Sequence, residues 1–96
     1  MEVFLNMLIR NPDWKNLGKP TVGDIVHLKN EYNTFRYLYK VLVTSINDQV
    51  IQGTLDSVFD WNTENPILAG DITKEIGKNV HFEMNVVHNV IKNNRK

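Results

Sequence analysis

The run YLYKVLVTSI, followed by Asn47 and Asp48 and then by QVIQGTLD, constrains this chain more than any other stretch. Tyr, Val, Leu, Ile and Thr fit the pleated, half-buried surface of a sheet. Asn and Asp tolerate the positive φ angles of a tight two-residue reversal. The stretch therefore predicts two adjacent antiparallel strands with Asn47 and Asp48 at the tip. Gly53, inside the second strand, predicts a bulge or a sharp bend of the kind that lets a sheet curl.

Further strands flank this hairpin. GDIVHL at 23–28 and GKNVHF at 77–82 nearly repeat each other, each with a glycine, a polar residue, a variable position and then Val-His and a large apolar residue. Strand alternation sends Val26 and Leu28 one way and Ile25, His27 and Lys29 the other. The same rule turns Val80 and Phe82 inward and His81 and Glu83 outward. NVVHNVIKN near the end predicts one 3₁₀ turn and a last strand at 89–92. Residues 30–36, NEYNTFR, read as a polar loop carrying two aromatics. Residues 57–70, with Pro66 and a polar centre, read as a long excursion that includes a short extra strand at 58–61.

Before the first strand, Val3, Phe4, Met7 and Leu8 recur at helical spacing between an acid at Glu2 and a base at Arg10, which predicts a short N-terminal helix stopped by Pro12. A short strand is the competing assignment. Residues 11–23 hold two prolines and two glycines and read as an ordered loop pinned by Trp14.

Together these elements predict a mainly β protein: a small antiparallel SH3-like barrel of about five strands, with a short N-terminal helix and a 3₁₀ turn before the last strand. Rolling the sheet up deals with the edges that an open five-stranded sheet would expose. An OB-like barrel is the alternative. Its helix belongs between the third and fourth strands, where this chain has WNTENPIL. The 96 residues suffice for one modest core without a covalent or metal staple. A single domain is expected, with 1–21 covering the barrel, 22–92 forming it and 93–96 as a polar tail.

Composition excludes some chemistry. The chain has no cysteine, so thiol nucleophiles, thiolate metal sites and disulfides are absent. Eleven basic residues balance eleven acidic ones, which weighs against nucleic acid as a partner. Lys92, Arg95 and Lys96 read as a solvated terminus. The first residues lack the basic start and unbroken apolar run of a signal peptide, and no stretch approaches the ~20 apolar residues of a membrane helix. A cytoplasmic protein without a membrane partner is expected.

The run YKVLVTSINDQVIQGTLDS, with the later VHF and the closing NVVHNVI, resembles a family of short, uncharacterised bacterial proteins that carry a GTLDN-type motif between a GD.V strand and a G..V.F strand. The resemblance covers about residues 22–92, and its specific core is QGTLD at 52–56. Ser57 replaces the usual Asn, and the insertion at 58–70 is longer. The resemblance implies a small β-barrel and no established activity. Some relatives are similar to immunity proteins of toxin systems.

Candidate sites follow from the expected strands. His27 and His81 would lie on different sides of a barrel and point to solvent, and no HxH or HExxH spacing gathers metal ligands; no metal or cofactor is expected. His88, beside Val86 and Val87, reads as a partly buried residue donating to backbone. Asp48, Asp56, Asp60 and Asp71 read as turn residues rather than an acid–base pair, and Ser45 and Ser57 lack a GxSxG elbow. No catalytic residue is assigned. The aromatics Tyr32, Phe35 and Trp61 fall in two loops expected to open on one end of the barrel, where they would grip a peptide, cage a methylated cation, or simply plug the core. The expected function is a non-enzymatic protein- or peptide-interaction module, a toxin-neutralising role being one instance. The alternative is a small nucleic-acid-binding barrel, which requires Lys15, Lys19, Lys29, Arg36, Lys40, Lys74 and Lys78 to converge on one surface.

Overall fold

The computed structural model describes residues 2–3, 8–32 and 35–93, with residues 2, 3, 32 and 35 entering through their backbone pairing. Six strands follow in chain order: β1 (Glu2–Val3), β2 (Ile25–Tyr32), β3 (Phe35–Asn47), β4 (Val50–Asp60), β5 (Asn79–Glu83) and β6 (Val87–Ile91). Among the described residues the only helical turns are 3₁₀, at Trp14–Asn16, Asp71–Glu75 and Met84–Val86, and no helix is long and apolar enough to cross a membrane. The fold is mainly β. Five strands run antiparallel in the order β5-β4-β3-β2-β6, and β1 lies parallel beside β5. The sheet is not closed, because the described residues of its two outermost strands do not pair with each other.

The long hairpin is present, with its tip one residue further on than expected. Asn47 pairs with Val50, so Asp48 and Gln49 make the reversal, and Asp48 takes the positive φ of 60°. A short Asx side chain tolerates that conformation. Two irregularities then break the ladder. Thr44 is left without a register partner between Val43 and Ser45, and Asp56 is left out between the pairs Lys40–Ser57 and Val41–Leu55. The second resets the period of burial along β4: Ile51, Gly53 and Leu55 face the core, and the next buried residue is Val58. An extra residue turns the following side chains to the opposite face, and β4 can therefore keep supplying the core through a bend.

Buried residues from every antiparallel strand meet in one cluster: Val26 and Leu28 from β2, Tyr39, Val41 and Val43 from β3, Leu55 and Val58 from β4, Phe82 from β5 and Val87 from β6. The inward assignment of Val26, Leu28, Val80 and Phe82 holds. The other face of β2 and β3 carries His27, Lys29, Leu38 and Lys40, all half-buried, and this is the face on which a site can be built.

Several expected elements are corrected. The N-terminal helix over residues 2–10 gives way to β1, which pairs with Asn79 and Val80 of β5, and to a bridge from Leu8 to Asn30; Phe4, Leu5, Asn6 and Met7 of that expected helix lie outside the described residues. Pairing supplies partners to sheet edges that a helix would leave bare. Tyr32 and Phe35 belong to strands and not to a loop, as the last register pair of β2 and β3. The extra strand at 58–61 is the end of β4 itself. The 3₁₀ turn before the final strand is present, and that strand begins at Val87, earlier than expected. Lys92 and Asn93, assigned to the polar end of the chain, are anchored on Asp24; Arg95 and Lys96 lie outside the described residues.

Candidate functional site: a basic, aromatic groove on the outer face

Register builds the site. Lys40 of β3 stands opposite His27 of β2, and Leu38 stands between Lys29 of β2 and Phe59 of β4. Alternation puts all of these on the face away from the core. Immediately after β4 the chain turns at 61–65 and returns along the β4 edge, where the Asp60 N–H donates to the Asn65 carbonyl and the Ile67 N–H to the Val58 carbonyl, both at 2.9 Å. Asp60 fixes this turn by accepting the Asn62 and Thr63 N–H groups at 2.8 and 3.1 Å. The result is a groove of about 620 Å³ over the outer face, floored by Leu38 and Phe59 and bordered by His27, Lys29, Lys40 and Trp61.

Trp61 is half-buried at one end of this groove. Its indole N–H donates to the Asn30 carbonyl at 3.1 Å, and its backbone N–H donates to the Arg36 carbonyl at 3.1 Å. The loop after β4 is thus tied to the β2–β3 hairpin end that carries Tyr32 and Phe35. This places the three candidate residues at one end of the sheet along the backbone.

The rings in the groove already hold cations. Lys29 Nζ lies 5.3 Å and the Arg36 guanidinium carbon 5.5 Å from the Trp61 ring, and Lys40 Nζ lies 4.2 Å from the Phe59 ring. These are cation–π distances. A guest ammonium would find like charge at the rings it needs, so this geometry disfavours the methylated-cation cage. Arg36 is also 3.8 Å from Glu31. Among the described residues neither Lys29 nor Lys40 has a carboxylate within ion-pair reach. Glu64 is the one acid in the lining. Burial, together with the charges of Lys40 and Lys29, pushes the His27 imidazole below its ordinary pKa, so the groove keeps His27 neutral at neutral pH.

The seven cations required by the nucleic-acid alternative do not converge. Lys29, Arg36 and Lys40 meet at the groove, whereas Lys15 and Lys19 border a different concavity beside Trp14 and Ile46. Lys74 and Lys78 pair with Asp71 and Glu75 at 3.5 and 3.3 Å.

The remaining candidates fall into place. His27 and His81 sit on β2 and β5, which β3 and β4 separate in the sheet. Zinc or nickel added to chelator-treated protein is expected to leave the thermal midpoint unchanged, since ions that bind the native state raise it; a rise abolished by His27→Ala or by His81→Ala would contradict this strand order. His88 is half-buried and its Nε2 lies 2.8 Å from the Ile9 carbonyl. A carbonyl only accepts, so Nε2 carries the proton there. Asp48 sits in the β3–β4 reversal, Asp60 ends β4 and anchors the turn after it, Asp71 opens a 3₁₀ turn, and Asp56 marks the irregularity within β4 and accepts the Ser57 hydroxyl at 3.3 Å.

Sequence reasoning singles out Trp61 but does not join it to Lys29, Lys40 and Phe59 in one groove. The signal was available for two of them, because the hairpin that pairs His27 with Lys40 also sets Lys29 on their side of β2. Comparison with family models, with curated proteins and with solved structures found no match to this chain.

Proposed function

We propose that this chain is a non-enzymatic interaction module built on an SH3-like barrel, with a protein or peptide partner lying across the outer groove. The barrel reading is supported by the order β5-β4-β3-β2-β6 and by the 3₁₀ turn at Met84–Val86 just before β6. The observation that carries the binding reading is the half-buried Trp61, its ring flanked by Lys29 and Arg36 at the end of the groove. Trp and Arg are the residue types most enriched where interfaces concentrate their energy. A toxin-neutralising role in the cytoplasm is one instance of such a module, and the absence of cysteine suits a reducing compartment.

The test is Trp61→Ala, read twice. Half-buried and tied by one indole hydrogen bond, Trp61 is expected to contribute about 1–2 kcal/mol to stability, less than the ~3–5 kcal/mol of a core tryptophan. In a display selection from a random peptide library, the folded parent is expected to enrich a peptide set and the folded variant to lose it. Enrichment that survives the substitution would move the site elsewhere. No enrichment by the parent would remove the reading.

A further inference from the structure

The chain is neutral overall, yet its outer groove is not. Lys29 and Lys40 line it from two neighbouring strands, with Arg36 beside the Trp61 ring at its end; among the described residues their partners are two rings and Glu31, 3.8 Å from Arg36, while Glu64 is the acid in the lining. Local positive charge on a neutral protein reflects placement and not composition, and it selects an occupant of opposite sign.

Two anionic macromolecules could answer, and the geometry separates them. A nucleic-acid strand needs a track of cations and open ring faces on which bases stack. Here the cations at the groove are three, a short track whose counterion release supplies little affinity, and the rings are the ones those cations already approach. An extended peptide makes neither demand. Its side chains alternate in direction, so acids can reach toward the lysines while the residues between them cover Leu38 and Phe59 on the groove floor.

Resting on the binding role proposed above, we propose that the occupant of this groove is an extended acidic peptide segment, its carboxylates paired with Lys29 and Lys40 and its intervening apolar side chains packed on Leu38, Phe59 and the edge of Trp61. Arg36, already beside Glu31, guards the end of the track. His27 lies opposite Lys40 in the middle of the groove. The groups around it are Lys29 on β2, Lys40 on β3, His88 on β6 and Glu64 in the loop after β4.

The experiment uses the intact chain and three labelled probes in a fluorescence-anisotropy titration: a blocked peptide in which Glu alternates with Leu and Ser, the same peptide with Gln for Glu, and a single-stranded oligothymidylate. The Glu peptide is expected to bind at least about tenfold tighter than the Gln peptide. Lys40→Gln is expected to remove most of that difference with the thermal midpoint unchanged, and Lys29→Gln provides the same test if Lys40→Gln is poorly folded. His27→Gln, which leaves both lysines in place, is expected to keep the preference for the Glu peptide. Equal binding of the Glu and Gln peptides, lost in Trp61→Ala, would overturn the acidic preference and leave the interaction module standing. Failure of the Glu peptide to bind would overturn the proposal, and the library selection would then decide the broader reading. Tighter binding of the oligothymidylate, weakened by the same lysine variants, would replace both with a nucleic-acid role.

Discussion

Replacing Gly53 by valine is expected to lower the stability of this chain by about 3 kcal/mol or more, at or beyond the upper end of ordinary overpacking. Gly53 is buried on β4 opposite Val43, where β3 leaves Thr44 without a register partner. A β-carbon built at Gly53 would lie 2.4 Å from the Leu42 carbonyl oxygen and 2.5 Å from Val41 Cγ1. The first of these is backbone in the strand hydrogen-bonded to β4, so no rotamer change relieves it. The glycine is therefore required for close approach and not for a left-handed conformation, since its φ is not in the positive range. Alanine already brings the offending carbon, and Gly53→Ala should show much of the loss. Gly18 is the control, because a β-carbon added there would meet nothing within 4 Å and its φ is not positive. Gly18→Ala should change stability by no more than about 0.5 kcal/mol. Urea unfolding of the three variants with an unchanged m-value decides the matter. A Gly53→Val midpoint near that of the parent would mean that β3 and β4 do not approach as described.

The residues that announced the fold are those whose signal is local. Asn47 and Asp48 between two strand-like runs marked a hairpin, and Val26, Leu28, Val80 and Phe82 marked their strands by alternation; each of these four is buried. What escaped depends on long-range geometry. The pattern along β4 looked broken at Ser57 because Asp56 shifts the period by one residue, and a strand interrupted in this way reads as two. Val3 and Leu8 were compatible with a helix, and what settles their backbone is pairing with Val80 and Asn30, residues remote in sequence. The candidate site shows the same division. Trp61 drew attention as a large aromatic in a loop, while Lys29, Lys40 and Phe59 were ordinary strand residues until the register of three strands set them side by side. The polar run around Tyr32 and Phe35 reads as a loop in sequence, and what makes both residues strand is their pairing as the last register pair of β2 and β3.

Asp24→Asn is the second large effect expected, with a loss of about 3 kcal/mol at neutral pH. Asp24 is only 2% exposed and directly precedes β2. Its Oδ2 accepts the Thr21 N–H at 2.8 Å, the Thr21 hydroxyl at 3.0 Å and Lys92 Nζ at 3.1 Å, and its Oδ1 accepts the Asn93 N–H at 2.9 Å. Lys92 Nζ also donates to the Lys19 carbonyl. One carboxylate thus joins the loop before β2 to the chain after β6. Burial alone would raise its pKa, but the bonds from Asn93, Thr21 and Lys92 outweigh burial and hold the group well below the ordinary carboxylate range. An asparagine of the same shape must turn its NH₂ toward one of these sets of donors, leaving donor against donor. Lys92→Met should cost less, about 1 kcal/mol, because the Lys92 side chain is about half exposed and the amide donors remain. The sign of the pH effect follows from the depressed native pKa. The stabilisation is present above the unfolded value of about 3.9 and is lost as pH falls below it toward the lower native value. The parent should therefore lose stability on acidification with a steeper slope than Asp24→Asn, which has no proton to take up at this position. Equal acid slopes, or an Asp24→Asn chain as stable as the parent at neutral pH, would show that the clamp between the loop before β2 and the chain after β6 contributes nothing.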